Sequence, residues 1–199
     1  MAKAREERIK ARKAKTFRRR VLASTVIIVV VIALVLLYQF GRPPAASNLA
    51  KVTLRTSKGD ITIELYDDMP ITTSNFKNLV SQGVYDGTIF HRVATNPAVI
   101  QGGDASAKGI SVATIPDELP NKHSNVRGSV AMAKTIEPNS TTSQFYINVK
   151  DNLYLDSNYS VFGRVIDGMN VVDDIGSVPT NNETPLETVM VSKAELIEP

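Results

Sequence analysis

The sequence contains no cysteine and only two histidines among its 199 residues. The absence of cysteine excludes disulfide bonds, a cysteine-based zinc site, a thiol nucleophile and a cysteine-linked lipid anchor. His91 and His123 lack carboxylates at metal-ligand spacing, so we expect no metal site and no cofactor. The sequence also lacks a Gly-x-Ser-x-Gly elbow and a Gly-Lys-Ser/Thr phosphate loop. Arginine, glutamine, tyrosine and apolar side chains remain as the groups available for chemistry or recognition.

Charge is distributed unevenly along the chain. Residues 1–20 contain ten Lys/Arg and two Glu, a net charge of +8. Residues 21–199 contain thirteen Lys/Arg and eighteen Asp/Glu, a net charge of −5. A short basic tail can bind nucleic acid or anionic lipid, and the segment that follows it decides between the two.

An uncharged stretch of 18 residues, Val21–Tyr38, follows the basic tail. As a helix it would span about 27 Å, close to the thickness of the hydrocarbon core of a bilayer. We therefore expect residues 1–20 to be a cytoplasmic tail, residues 21–40 a single transmembrane signal anchor in the cell membrane, and the remainder to lie outside the cytoplasm. The alternatives are a signal peptide cleaved near Ala45–Ser47 and a buried core helix, which would normally have a polar face. With a membrane as the partner of the tail, no nucleic-acid partner is expected.

Residues 41–50 are predicted to be a linker, and residues 51–199 one globular domain. Apolar and polar residues alternate in short segments separated by turn residues, which predicts β-strands. The first two segments, Val52–Thr56 and Ile61–Leu65, are predicted to form a hairpin. Further strands are expected within residues 85–104, 128–133, 143–149, 161–166 and 188–197.

Only two helices are predicted in this domain. One covers Ile71–Gly83, with Thr72 or Thr73 as its N-cap, and the other covers Gly168–Gly176. Many short strands with two helices indicate an all-β barrel or sandwich.

The stretch Tyr85–Asp104 contains the candidate catalytic group, Arg92. An unpaired charge in a buried strand is costly, so Arg92 either forms an ion pair with a carboxylate such as Asp104 or points into a cleft. Arginine and glutamine suit a reaction without proton transfer, such as rotation about a prolyl peptide bond. Its barrier of about 18–20 kcal/mol arises from amide resonance. A hydrogen bond from the guanidinium to the prolyl nitrogen would favour the twisted amide over the planar one.

Four motifs occur in order along the domain. They are F-H-R at Phe90–Arg92, Q-G-G-D at Gln101–Asp104, S-Q-F-Y at Ser143–Tyr146 and V-F-G-R-V at Val161–Val165. Together they resemble the cyclophilin family of peptidyl-prolyl cis-trans isomerases, over about Lys51 to Ile197. The resemblance implies a mainly β fold, an eight-stranded antiparallel closed barrel with two capping helices. It also implies EC 5.2.1.8 activity on proline-containing polypeptides, no cofactor and a monomer.

The resemblance also implies roles for individual residues. Arg92 matches the catalytic arginine, and Gln101 matches the glutamine that contacts substrate and orients that arginine. His91 is expected to be structural, and Asp104 to cap a turn. The expected substrate-binding residues are Ala98, Val99, Ala133, Lys134, Gln144, Tyr146, Tyr154, Leu155 and Tyr159.

The segment between Arg92 and Gln101 departs from the family pattern. It is one residue longer, with Ala98 in place of a pocket phenylalanine and Val99 in place of a methionine, and losing an aromatic side chain weakens an apolar pocket. Lys134 replaces an asparagine and is expected to be a solvated charge at the rim.

Three functions therefore stay open. The first is a membrane-anchored isomerase for exported or cell-surface proteins. The second is a proline-peptide binding module or chaperone with weak or no isomerase activity. In the third, the basic cytoplasmic tail carries the function.

Overall fold

The computed structural model describes residues 48–199, which fold around one eight-stranded antiparallel sheet. The predicted tail, the predicted signal anchor and most of the predicted linker lie outside the described residues. Within residues 48–199, no helix is long and apolar enough to cross a membrane.

Strands occur in every segment where the sequence predicts them, and two of them, residues 129–132 and 145–148, are buried on both faces. The strands are β1 (Lys51–Thr56), β2 (Gly59–Leu65), β3 (Phe90–Thr95), β4 (Ala98–Gly102), β5 (Ser129–Met132), β6 (Phe145–Asn148), β7 (Val161–Asp167), β8 (Thr180–Asn181), β9 (Thr184–Pro185) and β10 (Val191–Ile197). Eight of them form one sheet in the order β10-β1-β2-β7-β5-β6-β4-β3, while β8 and β9 form a separate hairpin. The predicted hairpin of β1 and β2 is confirmed.

The predicted closure of the barrel is wrong, because the sheet is an open half-barrel. Its edge strands, β3 and β10, do not pair along their length. Their adjoining ends are joined by an isolated bridge between Ile89 and Met190 and by main-chain hydrogen bonds, such as that from the Phe90 amide to the Val189 carbonyl at 2.9 Å. Beyond that bridge the hairpin of β8 and β9 covers β3, and the Val93 amide donates to the Glu183 carbonyl at 2.8 Å. The hairpin thus covers the outer edge of β3 at Val93.

The two predicted helices are confirmed as α1 (Pro70–Ser81) and α2 (Met169–Gly176). Two short 3-10 turns, Ser106–Lys108 and Leu153–Leu155, occur in the connections. The second of these turns lies beside the cleft described below.

The predicted threonine N-cap of α1 is wrong. The helix begins at Pro70, and its first turn is capped from a distant loop by Glu118. The Glu118 carboxylate accepts hydrogen bonds from the amides of Ile71 at 3.0 Å and Thr72 at 2.7 Å. A carboxylate is favourable here because it satisfies free N–H groups and faces the positive end of the helix dipole.

An aromatic cluster attaches α1 to the sheet. The ring centroid of Phe76 lies 5.0 Å from that of Tyr85, 5.5 Å from that of Phe145 and 4.8 Å from that of Phe162. All four side chains are fully buried. Burying one large apolar side chain stabilises a fold by about 1.5–3 kcal/mol, so this cluster is a main contributor to the core.

Gly168, which precedes α2, is a position where the fold requires glycine. Its φ is +87°, and a Cβ atom there would lie 2.2 Å from the carbonyl oxygen of Asp60. We expect Gly168→Ala to lower the free energy of unfolding by about 3 kcal/mol, since it combines a left-handed backbone with a clash against main chain. Urea unfolding monitored by circular dichroism measures the loss.

Gly87→Ala is the matched control for this substitution. Gly87 has a φ of +78°, but nothing lies within 4 Å of a Cβ atom placed there. The control should lose only about 1–2 kcal/mol, the cost of the left-handed backbone. Equal losses in the two variants would contradict the role of the contact with Asp60.

Candidate active site

A β-bulge in β3 determines which of its side chains face the cleft. Phe90 pairs with Gly102 and Arg92 pairs with Gln101, so β3 advances two residues while β4 advances one. The extra residue is His91. Simple alternation would place Phe90 and Arg92 on the same face of the sheet. The bulge lets Phe90 fill the core while Arg92 lines a cavity on the other face.

Arg92 lines a cavity of about 110 Å³. Its lining combines apolar and aromatic residues with the charged or amide side chains of Arg92, Gln101 and Lys134. The remaining lining residues are Pro97, Val99, Ala133, Tyr146, Leu155 and Tyr159. The sequence-based reasoning missed Pro97, which lies in the turn between β3 and β4.

Most of the predicted site residues come together here. Those that line the cavity are Arg92, Val99, Gln101, Ala133, Lys134, Tyr146, Leu155 and Tyr159. Gln144 lies beside them, in an adjoining cavity of about 130 Å³ that shares Gln101, Ala133 and Lys134.

Two predicted residues lie elsewhere. Ala98 lines a separate cavity, and its amide and carbonyl groups bond to the side chain of Asn152 at 3.2 and 3.1 Å. Neighbouring residues of a strand face opposite sides, so Ala98 turns away where Val99 turns towards the cleft. Tyr154 is 60% exposed, and its hydroxyl hydrogen-bonds to Asn96. Ala98 and Tyr154 therefore lie outside the lining of this cavity, and their substrate-binding roles stay predictions.

A chain of hydrogen bonds links Arg92, Gln101 and Gln144. Nη1 of Arg92 donates to Oε1 of Gln101 at 3.2 Å, and Nε2 of Gln101 donates to Oε1 of Gln144 at 2.9 Å. A guanidinium can only donate, so it requires the oxygen of Gln101 to face it and the amide nitrogen to face Gln144. The chain thus fixes the orientation of the Gln101 amide.

Arg92 also forms an ion pair, but its partner is not Asp104. Nε of Arg92 donates to Oε2 of Glu183 at 2.7 Å, and both side chains remain partly exposed. Asp104 instead accepts a hydrogen bond from the Ser106 amide at 2.9 Å and caps the turn that follows it. Sequence reasoning missed Glu183.

Lys134 is not the solvated rim charge expected from the sequence. Its Nζ lies 2.5 Å from Oδ2 of Asp117, and the two side chains are only 12% and 13% exposed. The Asn139 amide donates to the same oxygen at 3.2 Å. The charge of Lys134 is therefore neutralised where it reaches the cavity, and the loop that follows it is held in place.

A buried polar network holds Tyr146 at the base of the cavity. Its hydroxyl donates to Oδ1 of Asn125 at 2.7 Å. Nδ2 of Asn148 donates to Ser129 at 2.9 Å, and Nδ2 of Asn152 donates to Asn148 at 2.7 Å. Burial raises the pKa of Tyr146 far above its ordinary value, so the phenol is neutral. Single asparagines scattered along the chain carried no signal for this network.

His91, the bulged residue, is half-buried beside this chain of side chains. Burial lowers its pKa, the nearby Asp104 opposes that effect, and the charge of Arg92 adds to it. Among the described residues, its Nδ1 atom is buried without a hydrogen-bond partner. A neutral ring near pH 7 fits the structural role expected for His91.

The lowered pKa of His91 predicts a dependence of stability on pH. In the unfolded chain this histidine binds a proton more readily than in the folded state, so protonation favours unfolding. The contribution of neutral His91 to the free energy of unfolding should be complete well above pH 6.5, the ordinary pKa of histidine. It should decline as the pH falls through that value. In His91→Gln the free energy of unfolding should decline less than in the wild type between about pH 7 and 5.5. Urea unfolding at several pH values tests this, and identical slopes in the two proteins would refute it.

Comparison with known proteins gives the family. The family model for "Cyclophilin type peptidyl-prolyl cis-trans isomerase/CLD" matches residues 51–196. The chain is 47% identical over 139 residues to the peptidyl-prolyl cis-trans isomerase of Acinetobacter baylyi, covering 65% of this chain and 73% of that protein. It is 40% identical over 164 residues to peptidyl-prolyl cis-trans isomerase B of Escherichia coli, covering 74% and 99%.

The fold leads to the same family. A crystal structure of a cyclophilin type peptidyl-prolyl cis-trans isomerase from Cryptosporidium parvum matches with a TM-score of 0.69 and 27% identity, covering 76% of this chain and 99% of that one. The Cryptosporidium protein has also been solved in the presence of the dipeptide Ala-Pro, with a TM-score of 0.68. The chain belongs to the cyclophilin type peptidyl-prolyl cis-trans isomerase family, and the predicted family and enzyme class are confirmed.

Proposed function

We propose that this protein accelerates rotation about X-Pro bonds, with Arg92 donating a hydrogen bond to the prolyl nitrogen. One observation carries the mechanism. A guanidinium held by two partners lies at the edge of an apolar cavity whose wall includes Val99, Tyr146 and Leu155. Such a cavity suits the ring of a proline.

The reaction requires the amide to lose its conjugation. Planar amide resonance gives a barrier of about 18–20 kcal/mol. As the C–N bond twists, the nitrogen becomes pyramidal and its lone pair can accept a hydrogen bond. A donor aimed at that nitrogen therefore binds the twisted amide better than the planar one, which lowers the barrier. No bond breaks and no proton is transferred, so a neutral His91 is compatible with this chemistry.

Arg92 retains donors for this role. A guanidinium has five N–H groups, of which one donates to Glu183 and one to Gln101. Among the described residues, the other three have no partner. Gln101 and Gln144, joined by their own hydrogen bond, present amide groups that can hold the peptide backbone.

Arg92→Ala tests the proposed mechanism. We expect kcat/KM for cis-to-trans conversion of an Ala-Pro peptide by the full chain to fall about 100-fold or more, the usual cost of losing a transition-state donor. Arg127→Ala is the matched control. The Arg127 guanidinium lies 2.7 Å from the Asp173 carboxylate, and Arg127 does not line the cavity that contains Arg92. It should keep the wild-type rate. Full activity in Arg92→Ala would refute the mechanism.

A proline-peptide binding module with weak catalysis is the second candidate. It is supported by Val99, a smaller side chain than the methionine of the family pattern, and by the absence of Ala98 from the cavity lining. The discriminating result is peptide binding, seen as chemical-shift changes near Arg92 and Tyr146, without rate enhancement. Isomerisation of the same peptide accelerated about 100-fold or more would exclude it.

We further propose that the domain acts on exported or cell-surface proteins, held at the membrane by residues 21–40. This proposal is supported by the sequence alone, in which a basic tail precedes an uncharged run. Uncatalysed X-Pro isomerisation takes tens of seconds or more and can limit folding, so a tethered isomerase would serve emerging chains.

Protease accessibility tests this topology. In intact cells or spheroplasts that express the full chain, added protease should remove residues 48–199 while an epitope on residues 1–20 stays protected. The intact mass of the membrane-fraction protein then distinguishes an uncleaved anchor from a processed signal. A domain that becomes accessible only after cell lysis would contradict the proposed location.

A further inference from the structure

The hairpin of β8 and β9 presents Glu183 to Arg92 through an unusual turn. Thr180 pairs with Pro185 and Asn181 with Thr184, which leaves Asn182 and Glu183 as a two-residue loop. Their φ angles are +47° and +64°, both in the left-handed region. Such turns favour asparagine followed by glycine. A glutamate in the second position is strained, and this hairpin carries one.

The hairpin does not need the Glu183 side chain in order to dock. The main-chain bond from the Val93 amide to the Glu183 carbonyl, 2.8 Å long, attaches it to β3. A second main-chain bond, from the Leu186 amide to the Pro179 carbonyl at 2.9 Å, closes the hairpin's base. The carboxylate is therefore free to serve the one partner it contacts, Nε of Arg92.

The ion pair is a poor source of stability. The side chains of Arg92 and Glu183 are 34% and 44% exposed, and partly exposed pairs contribute little because water screens them. The backbone strain at Glu183 further reduces the small stabilisation that the ion pair gives. Because the ion pair between Arg92 and Glu183 adds little stability and requires a strained turn, we look for its role in function.

The geometry supplies one. Glu183 holds Nε of Arg92 at 2.7 Å, and Gln101 holds Nη1 at 3.2 Å. Two anchors on different nitrogens fix both the position and the rotation of a planar guanidinium, whereas one anchor leaves it free to swing. The unpartnered N–H groups then have a fixed direction at the cavity.

We propose that Glu183 is a positioning residue, which orients the guanidinium of Arg92 for donation to the prolyl nitrogen. This inference rests on the proposed function of Arg92. Glu183 acts before the substrate arrives, by removing rotational freedom that would otherwise be lost in the transition state. The loss of Glu183 should consequently lower kcat and leave KM nearly unchanged.

Glu183→Gly separates positioning from a structural role. Glycine suits a φ of +64°, so this variant removes the carboxylate and relieves the turn at the same time. With the full chain and an Ala-Pro peptide, we expect kcat to fall about tenfold and KM to change less than about twofold. The urea midpoint of unfolding should not decrease. A purely structural glutamate would give unchanged kcat.

Two further variants sharpen the test. Glu183→Gln keeps an oxygen that can accept from Nε and should retain about half of the wild-type kcat. Glu187→Ala is the matched control, because Glu187 pairs with Lys58 at 2.8 Å, four residues further along. It should match the wild type. A kcat for Glu183→Gln as low as that for Glu183→Gly would overturn the orienting role in favour of charge alone.

A spectroscopic readout follows the guanidinium itself. The Nε–H resonance of Arg92, assigned by its absence in Arg92→Lys, should be protected from solvent exchange in the wild type and lose that protection in Glu183→Gly. In the Arg92→Lys background, Glu183→Gly should cause no further loss of kcat. Independent, multiplicative losses would overturn the proposal.

The outcomes separate this inference from the function on which it rests. If Arg92→Ala is inactive and Glu183→Gly keeps full kcat, the positioning role is refuted and the proposed function stands. If Arg92→Ala keeps full activity, the proposed mechanism of Arg92 fails, and the positioning role of Glu183 fails with it.

Discussion

The β-bulge at His91 is the constraint on which the candidate site depends. Phe90 packs edge-on against Phe145 in the core at 6.1 Å, yet Arg92 reaches the opposite face of the sheet. Strict alternation would either expose the aromatic ring, at a cost of about 1.5–3 kcal/mol, or bury an arginine among apolar side chains. The one extra residue, His91, lets Phe90 and Arg92 face opposite sides of the sheet. The same strand therefore contributes one side chain to the core and one to the candidate site.

The open edge of the sheet belongs to the same arrangement. β3 and β10 are the two edges of the half-barrel, and the hairpin of β8 and β9 lies against β3 through the bond from the Val93 amide to the Glu183 carbonyl. The same hairpin brings Glu183 to Nε of Arg92. The hairpin that covers the open edge of the sheet thus supplies one of the two hydrogen-bond partners that hold the Arg92 guanidinium. Gln101, from β4, supplies the other.

The sequence predicted what is local, and missed what depends on distant pairing. Alternation of apolar and polar residues located strands such as β1, in which buried and partly exposed residues alternate, and short motifs pointed to Arg92 and Gln101. The bulge left no such trace, since it is defined by the register between two strands. Glu183 is 91 residues from Arg92, and Glu118 is 46 residues from the Thr72 amide it caps, so neither contact had a local pattern. Ala98 was expected at the same pocket as Val99, because matching motifs does not show which face of the sheet a side chain next to a turn will occupy.

The central claim is that Arg92 binds the twisted amide more strongly than the planar one. The most direct measurement compares kcat with the peptide dissociation constant in Arg92→Gln, both obtained by NMR line-shape analysis of an Ala-Pro peptide. Preferential binding predicts that kcat falls about 100-fold or more while the dissociation constant changes less than about threefold. An unchanged kcat with a dissociation constant raised about 100-fold would contradict it, because Arg92 would then bind both forms equally.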